Sequence, residues 1–228
     1  GVIHVVKQPV NHGVRLTPTP GATATLKLRR VNFAERLYRI TGQGIYRDSE
    51  LLCVPAPAGV PPLNTGVMGQ DSAQVVRYRG KLFWLWGDTS LPHYPLGNFK
   101  TTSATSPLPG PNTFQPGTCV PLNYFADSQK PDRVRTMVPT GELGVIWLDG
   151  LMTLLDPDGN ETLLAHFSRR KGLMEQLEHG LVRFDDTAGV FRKVAAFAPE
   201  ETWRFPRGIA VRVEHEGQPY LYFVEHFA

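Results

Sequence analysis

The feature that most constrains this chain is a strand–glycine turn–strand unit that occurs three times. In the first unit Ala73 and Val75 alternate with polar neighbours, Arg79-Gly80-Lys81 makes the turn, and Leu82-Phe83-Trp84-Leu85-Trp86 is an apolar run of buried-strand length. In the second, Gly144 to Leu155 meets Asp156-Pro157-Asp158-Gly159 and returns as Glu161 to Phe167. In the third, Ile209 to Val213 turns at His215-Glu216-Gly217 and returns as Pro219 to Val224. Further strand segments follow the first two units: Thr101 to Ser106, then Leu181 to Phe184 and Val190 to Phe197 around an Asp185-to-Gly189 turn. Repeated antiparallel units of about four strands predict an all-β chain and specifically a β-propeller, partial or five-bladed. A β-sandwich also produces evenly spaced short strands and is the rival architecture. The single helical spacing, Leu173 and Leu177 between Gly172 and Gly180, predicts at most a turn or two of helix over 170–179.

Residues 1–65 read as an N-terminal β-rich section. Val2 to Val6 and Leu37 to Ile40 are short strands, and Ala22 to Val31 alternates as a half-buried one. The proline-rich run from Pro55 to Pro62 excludes helix and central strand, and is taken as the connector to a blade-bearing part at 66–228. With 41% hydrophobic and 20% charged residues the 228-residue chain is globular. Its net charge of +3 is mild, and residues 1–50 hold eight Lys/Arg against three Asp/Glu without any run that would track phosphates. Nucleic acid is therefore not an expected partner. No apolar stretch has the ~20 residues of a membrane span, so no membrane partner is expected either. Cys53 and Cys119 have no zinc-like spacing. Pairing and two free thiols both remain open for them. No metal or other cofactor is expected, and neither a phosphate loop nor a Gly-x-Ser-x-Gly turn is present.

Asp71 and Asp88 stand at the two open ends of the first hairpin. A carboxylate at the mouth of a rigid β-element is well held for catalysis or binding, although Asp also caps turns. Glu175, Glu178, Arg169 and the Arg47-Asp48 pair have the same double reading, as site groups or as solvated surface charges. Trp86 and Trp147 are either sugar platforms or core, and His93 lies on a loop just after Asp88.

Residues Gly69-Gln70-Asp71-Ser72, Gly80 to Trp84, Trp86-Gly87-Asp88-Thr89, Ala165 to Arg169, Glu178 to Asp186 and Gly217 to Phe223 together resemble the five-bladed propeller glycoside hydrolases, the arabinanase, xylosidase and invertase-like enzymes. The resemblance covers about residues 66–228 and lies in blade pattern. It implies inner-strand carboxylates converging on a funnel, with Asp71 as base or nucleophile, Glu175 or Glu178 as acid and Asp149 orienting the acid. It further implies a carbohydrate ligand contacted by Asp88, His93, Trp86, Arg169 and Arg47. Secretion or a periplasmic location is then expected, with a cytoplasmic one left open. Two departures stand out: Asp71 sits in Gln-Asp-Ser rather than Asp-Pro, and only about three blade-like units are visible. The latter implies either that the leading section supplies further blade strands or that the chain is a fragment of a longer protein. The alternative from a different functional class is a non-catalytic propeller that binds a glycan or a protein.

Overall fold

The computed structural model describes residues 3–5, 14–17, 19–25, 27, 53, 64–91, 101–111, 120–172, 174–203 and 205–224. The chain divides into two compact units, Gly1–Arg36 and Leu37–Ala228. In the first, β1 (Ile3–Val5) pairs antiparallel with β2 (Val14–Leu16). The strand expected from Ala22 is not formed over its described residues, 22–25 and 27, which carry no regular structure. Thr19-Pro20-Gly21 begins this stretch with a turn instead, closed by Ala22 N–H donating to Thr19 O. The expected strand at Leu37 and the Pro55–Pro62 connector lie outside the described residues.

The second unit is all-β, and its described residues hold no α-helix, only a short 3-10 turn at Asn64–Gly66. Strands β3 (Gly69–Tyr78), β4 (Lys81–Ser90), β5 (Thr102–Pro107) and β6 (Asn123–Tyr124) form one antiparallel sheet in chain order. Strands β7 (Val145–Leu155), β8 (Glu161–Lys171), β9 (Glu175–Asp185) and β10 (Val190–Ala196) form another in the same way, and β11 (Ile209–His215) pairs with β12 (Gln218–Val224). All three predicted hairpins are therefore present. The described strands form no closed ring. The helical turn expected over 170–179 is absent, because β8 and β9 continue their ladder as far as Lys171 opposite Glu175. Leu177 keeps its place on that ladder's edge and is exposed.

Local chemistry explains the hairpins. Arg79 (φ 47°) with Gly80 (φ 71°), and Glu216 (φ 50°) with Gly217 (φ 72°), supply two successive left-handed residues, the requirement of a type I′ turn. Asp156 closes the β7–β8 turn by accepting from the N–H groups of Asp158 and Asn160. Asp185 does the same for Thr187 and Ala188.

The main core lies between the two four-stranded sheets. Phe83 and Leu85 of β4 pack with Leu148, Leu163, Phe167, Phe184 and Phe191, and Phe83 and Phe184 meet edge-to-face with ring centroids 5.0 Å apart. The opposite face of β4 buries Trp84 and Trp86 with Ala104, Val120 and Leu122. The first strands of the three antiparallel groups are neighbours in space: β3 contacts β7, and β7 contacts β11.

Candidate active site

The ladder of β3 and β4 places Asp71 directly opposite Asp88. Strict alternation from Trp84 and Trp86 would point Asp88 into the tryptophan cluster. The structure does otherwise. Thr89 Oγ1 lies 2.7 Å from Thr102 Oγ1, and Thr102 is the register partner of Trp86. Thr89 thus takes the tryptophan face and Asp88 turns toward β7. The alternation breaks at Ser72, a left-handed residue with φ 56° opposite Gly87. There is no spare room at that step, since a Cβ on Gly87 would come 3.1 Å from the Ser72 Cβ.

Two acids are consequently held side by side. Asp71 accepts a 2.6 Å hydrogen bond from Ser72 N–H. Oδ1 of Asp88 is buried without a hydrogen-bond partner among the described residues. Burial first, and the Asp71 carboxylate second, push the Asp88 carboxyl above its ordinary range, with the Trp147 indole pulling part of the way back. Such a carboxyl holds its proton to higher pH than an ordinary aspartate.

Asp149 is joined to β3 through Gln74. Its Oδ1 accepts from Gln74 Nε2 at 2.7 Å, while Gln74 Oε1 accepts from Leu151 N–H at 2.9 Å. One amide side chain thereby ties β3 to β7 across a bulge between Asp149 and Met152. Behind the acids, Tyr124 donates to Gln70, and Gln70 to Thr102, at 2.7 and 3.0 Å. Trp147 is half-buried, with the Arg170 guanidinium 5.6 Å from its ring centroid.

The remaining expected site residues are placed differently. Glu178 is clamped by Arg169 at 3.0 Å and Lys193 at 2.7 Å, and both cations also reach Glu142. Burial alone would raise the Glu178 carboxyl, but the hydrogen bonds from Lys193 and Arg169 outweigh it and hold the group below its usual range. An acid so held is ionised, the reverse of a proton donor. Arg169 is spent on that cluster and on Leu143 O. Glu175 is an exposed strand-end charge 4.0 Å from Lys171. Trp86 is 1% exposed and stacked on Trp84 at 6.0 Å, so it belongs to the core rather than to a sugar platform. Arg47, His93 and Cys119 lie outside the described residues, while Cys53 is an exposed free thiol. Both members of the opposed pair, Asp71 and Asp88, were legible in the sequence, whereas Glu175 and Glu178 lie apart from it on β9. Gln74 escaped notice, because nothing in its neighbours marks a polar residue on a core-facing strand position as a tie to another sheet.

A separate cleft of about 490 Å³ opens among the hairpin turns, lined by Tyr78, Arg79, Glu161, Arg183, Asp185 and Asp186, among others. Most of its charges are matched within the protein: Arg79 pairs with Asp186 at 3.1 Å and Arg192 with Asp185 at 2.7 Å. Tyr78 also donates to Asp186, and burial together with that carboxylate pushes its hydroxyl up to about 12. No group of three or more metal-ligating side chains occurs among the described residues. No helix there is long and apolar enough to cross a membrane.

No family model, curated protein or solved structure matches the chain.

Proposed function

We propose that residues 66–228 are propeller blades of glycosidase type, and that Asp88 and Asp71 are the acid and the nucleophile of glycosidic-bond hydrolysis. The observation that carries this reading is the opposed carboxyl pair, in which one member is buried and raised by the other. Adjacency of β3, β7 and β11, each the first strand of its antiparallel group, favours a radial arrangement over a sandwich. In the proposed reaction Asp88 gives its proton to the leaving glycosidic oxygen, and the Asp71 carboxylate attacks the anomeric carbon. Water then releases the sugar, with Asp88 taking back a proton. Directly opposed residues have Cα atoms about 4.5–5.5 Å apart. For such a directly opposed pair the class proposed is the retaining one, whose carboxyls stand ~5 Å apart rather than the roughly 6.5–9.5 Å of inverting enzymes. Trp147, beside Asp88, offers the flat apolar surface that the C–H face of a sugar requires.

A screen of aryl-glycosides and arabinan, xylan and fructan oligosaccharides tests the reading. Turnover should fall by about 10²–10⁴-fold in Asp88→Asn, and Asp71→Asn should also be inactive, each with an unchanged circular dichroism spectrum. Proton NMR of the first-formed product should show a retained anomeric configuration. The satisfied state of Glu178 favours a second reading, a non-catalytic glycan-binding module. Oligosaccharide binding without turnover, unaltered in Asp88→Asn, would establish that alternative.

A further inference from the structure

The connection between β10 and β11 is laid over the face of the β7–β10 sheet that lies opposite the main core. Phe197 N–H donates to His179 O at 2.9 Å, and Ala198 O accepts from Glu201 N–H. Phe205 stacks on the His166 ring at 4.2 Å with an interplanar angle of 19°. At the far end Gly208 O accepts from Gly150 N–H, and a Cβ on Gly150 would meet Pro206 at 2.5 Å. Beneath this strap are two buried imidazoles, His166 at 5% and His179 at 1% exposure. His166 Nε2 lies 3.1 Å from His179 Nδ1, and His179 Nε2 lies 3.2 Å from Ala198 O.

Those distances assign both tautomers. A carbonyl oxygen only accepts, so His179 Nε2 carries a proton and donates it to Ala198. In a neutral ring Nδ1 is then the acceptor, and His166 Nε2–H is its donor. The chain of donation runs from His166 to His179 to the strap, and it needs a neutral His179, whereas a protonated His166 would keep its Nε2–H donor. A proton on His179 Nδ1 abolishes the acceptor. A proton on His166 puts a cation among Phe197, Phe205 and Arg207, the last lying 4.8 Å over Phe205.

We propose that the His166–His179 pair is an acid-operated clasp, and that protonation releases the strap from the sheet while the sheet itself stays folded. The charged groups on this face are Asp149 of β7, Arg170 of β8 and Arg207 of the strap, with Arg183 of β9 and Arg192 of β10 further along. Among the described residues Asp149 is the carboxylate on the sheet face, its Oδ1 accepting from Gln74 and from Gly150 N–H, and the strap itself carries Glu200 and Glu201. Burial, the neighbouring His179, Arg207 and Arg170 hold His166 neutral down to about 3. The sign follows directly. A ring depressed from 6.5 in the open state favours the closed strap fully above about 6.5, and that preference is lost as pH falls toward 3. Because the strap ends against Gly150, its release would uncover backbone next to Asp149.

Amide hydrogen exchange of the whole chain, corrected for intrinsic rates, tests the clasp without reference to any activity. Protection at Phe197, Glu201 and Gly150 should fall about tenfold per pH unit below roughly 6.5 for one-proton opening. The β8 and β9 amides should hold. His179→Gln, which can accept and donate without taking up a proton, should flatten the dependence, and His166→Phe, which keeps the ring stack, should do likewise. Strap protection that is constant with pH, protection lost in parallel across the sheet, or an unaltered pH dependence in the two variants would each overturn the proposal.

Discussion

Two clusters of carboxylates in this molecule are solved in opposite ways. At Asp71 and Asp88 like charges face each other across a ladder, and no ion pair among the described residues relieves them. At Glu178 and Glu142 two cations, Arg169 and Lys193, are interposed, with Lys193 also lying 5.3 Å over the Phe167 ring. The first arrangement costs stability and sets one proton apart from the other. The second contributes stability and leaves no proton to give. Acidic residues on neighbouring strands are thus not equivalent candidates, and the counter-ions decide between them.

The largest expected contrast is in turnover. Asp88→Asn should abolish any hydrolysis that Glu178→Gln leaves within a few-fold of the parent, measured on the same oligosaccharide. Equal losses in both variants would erase the distinction. Next comes stability at neutral pH. Glu178→Gln should lower it by about 1–2 kcal/mol, since the cations Arg169 and Lys193 lose a half-buried partner. Asp88→Asn should raise it, because burial and the facing Asp71 carboxylate both disfavour the ionised Asp88. Urea unfolding followed by fluorescence reads both.

The pH dependence separates the clusters further. Asp88 is raised when folded, so its effect is to weaken the fold as pH rises through its titration. Glu178 is depressed, so its contribution is present above its unfolded value of 4.5 and is lost as pH falls through the folded one. Thermal melts between pH 3 and 7 should therefore show a steeper rise of stability with pH in Asp88→Asn and a shallower rise in Glu178→Gln than in the parent. The smallest effect belongs to Ser72→Gly. Relief of the left-handed serine should raise the melting temperature by about 2–4 °C, which corresponds to ~1 kcal/mol in a chain of this size.

Much of the fold was legible because hairpins are local. The apolar run Leu82 to Trp86 and the Arg-Gly and Glu-Gly turns each act over a few residues, and all three expected strand pairs formed, although Ala73 and Val75 are exposed and it is Val76 and Tyr78 that pack on the core. The pairing of Glu178 was not legible, because its partner Lys193 lies on the next strand and its other partner, Arg169, on the previous one. Pairing of that kind depends on register, and a bulge between Arg169 and Arg170 shifts that register by one. Trp86 looked as available as Trp147 because one-dimensional alternation gives two faces without saying which is covered. The orientation of Asp88 rests on a single left-handed serine, for which the residues around it give no turn signal. Leu173 and Leu177 suggested a helix only because two residues four apart satisfy helical spacing by chance.

The Gln74 tie has a consequence for behaviour in crowded solution. β3 and β7 are the terminal strands of their sheets, and bare strand edges are templates on which foreign chains add and aggregate. The Gln74 amide occupies Leu151 N–H on one of these edges. A single side chain thereby blocks part of a polymerisation surface, and its replacement by an apolar residue would expose that surface while leaving the hydrophobic packing in place.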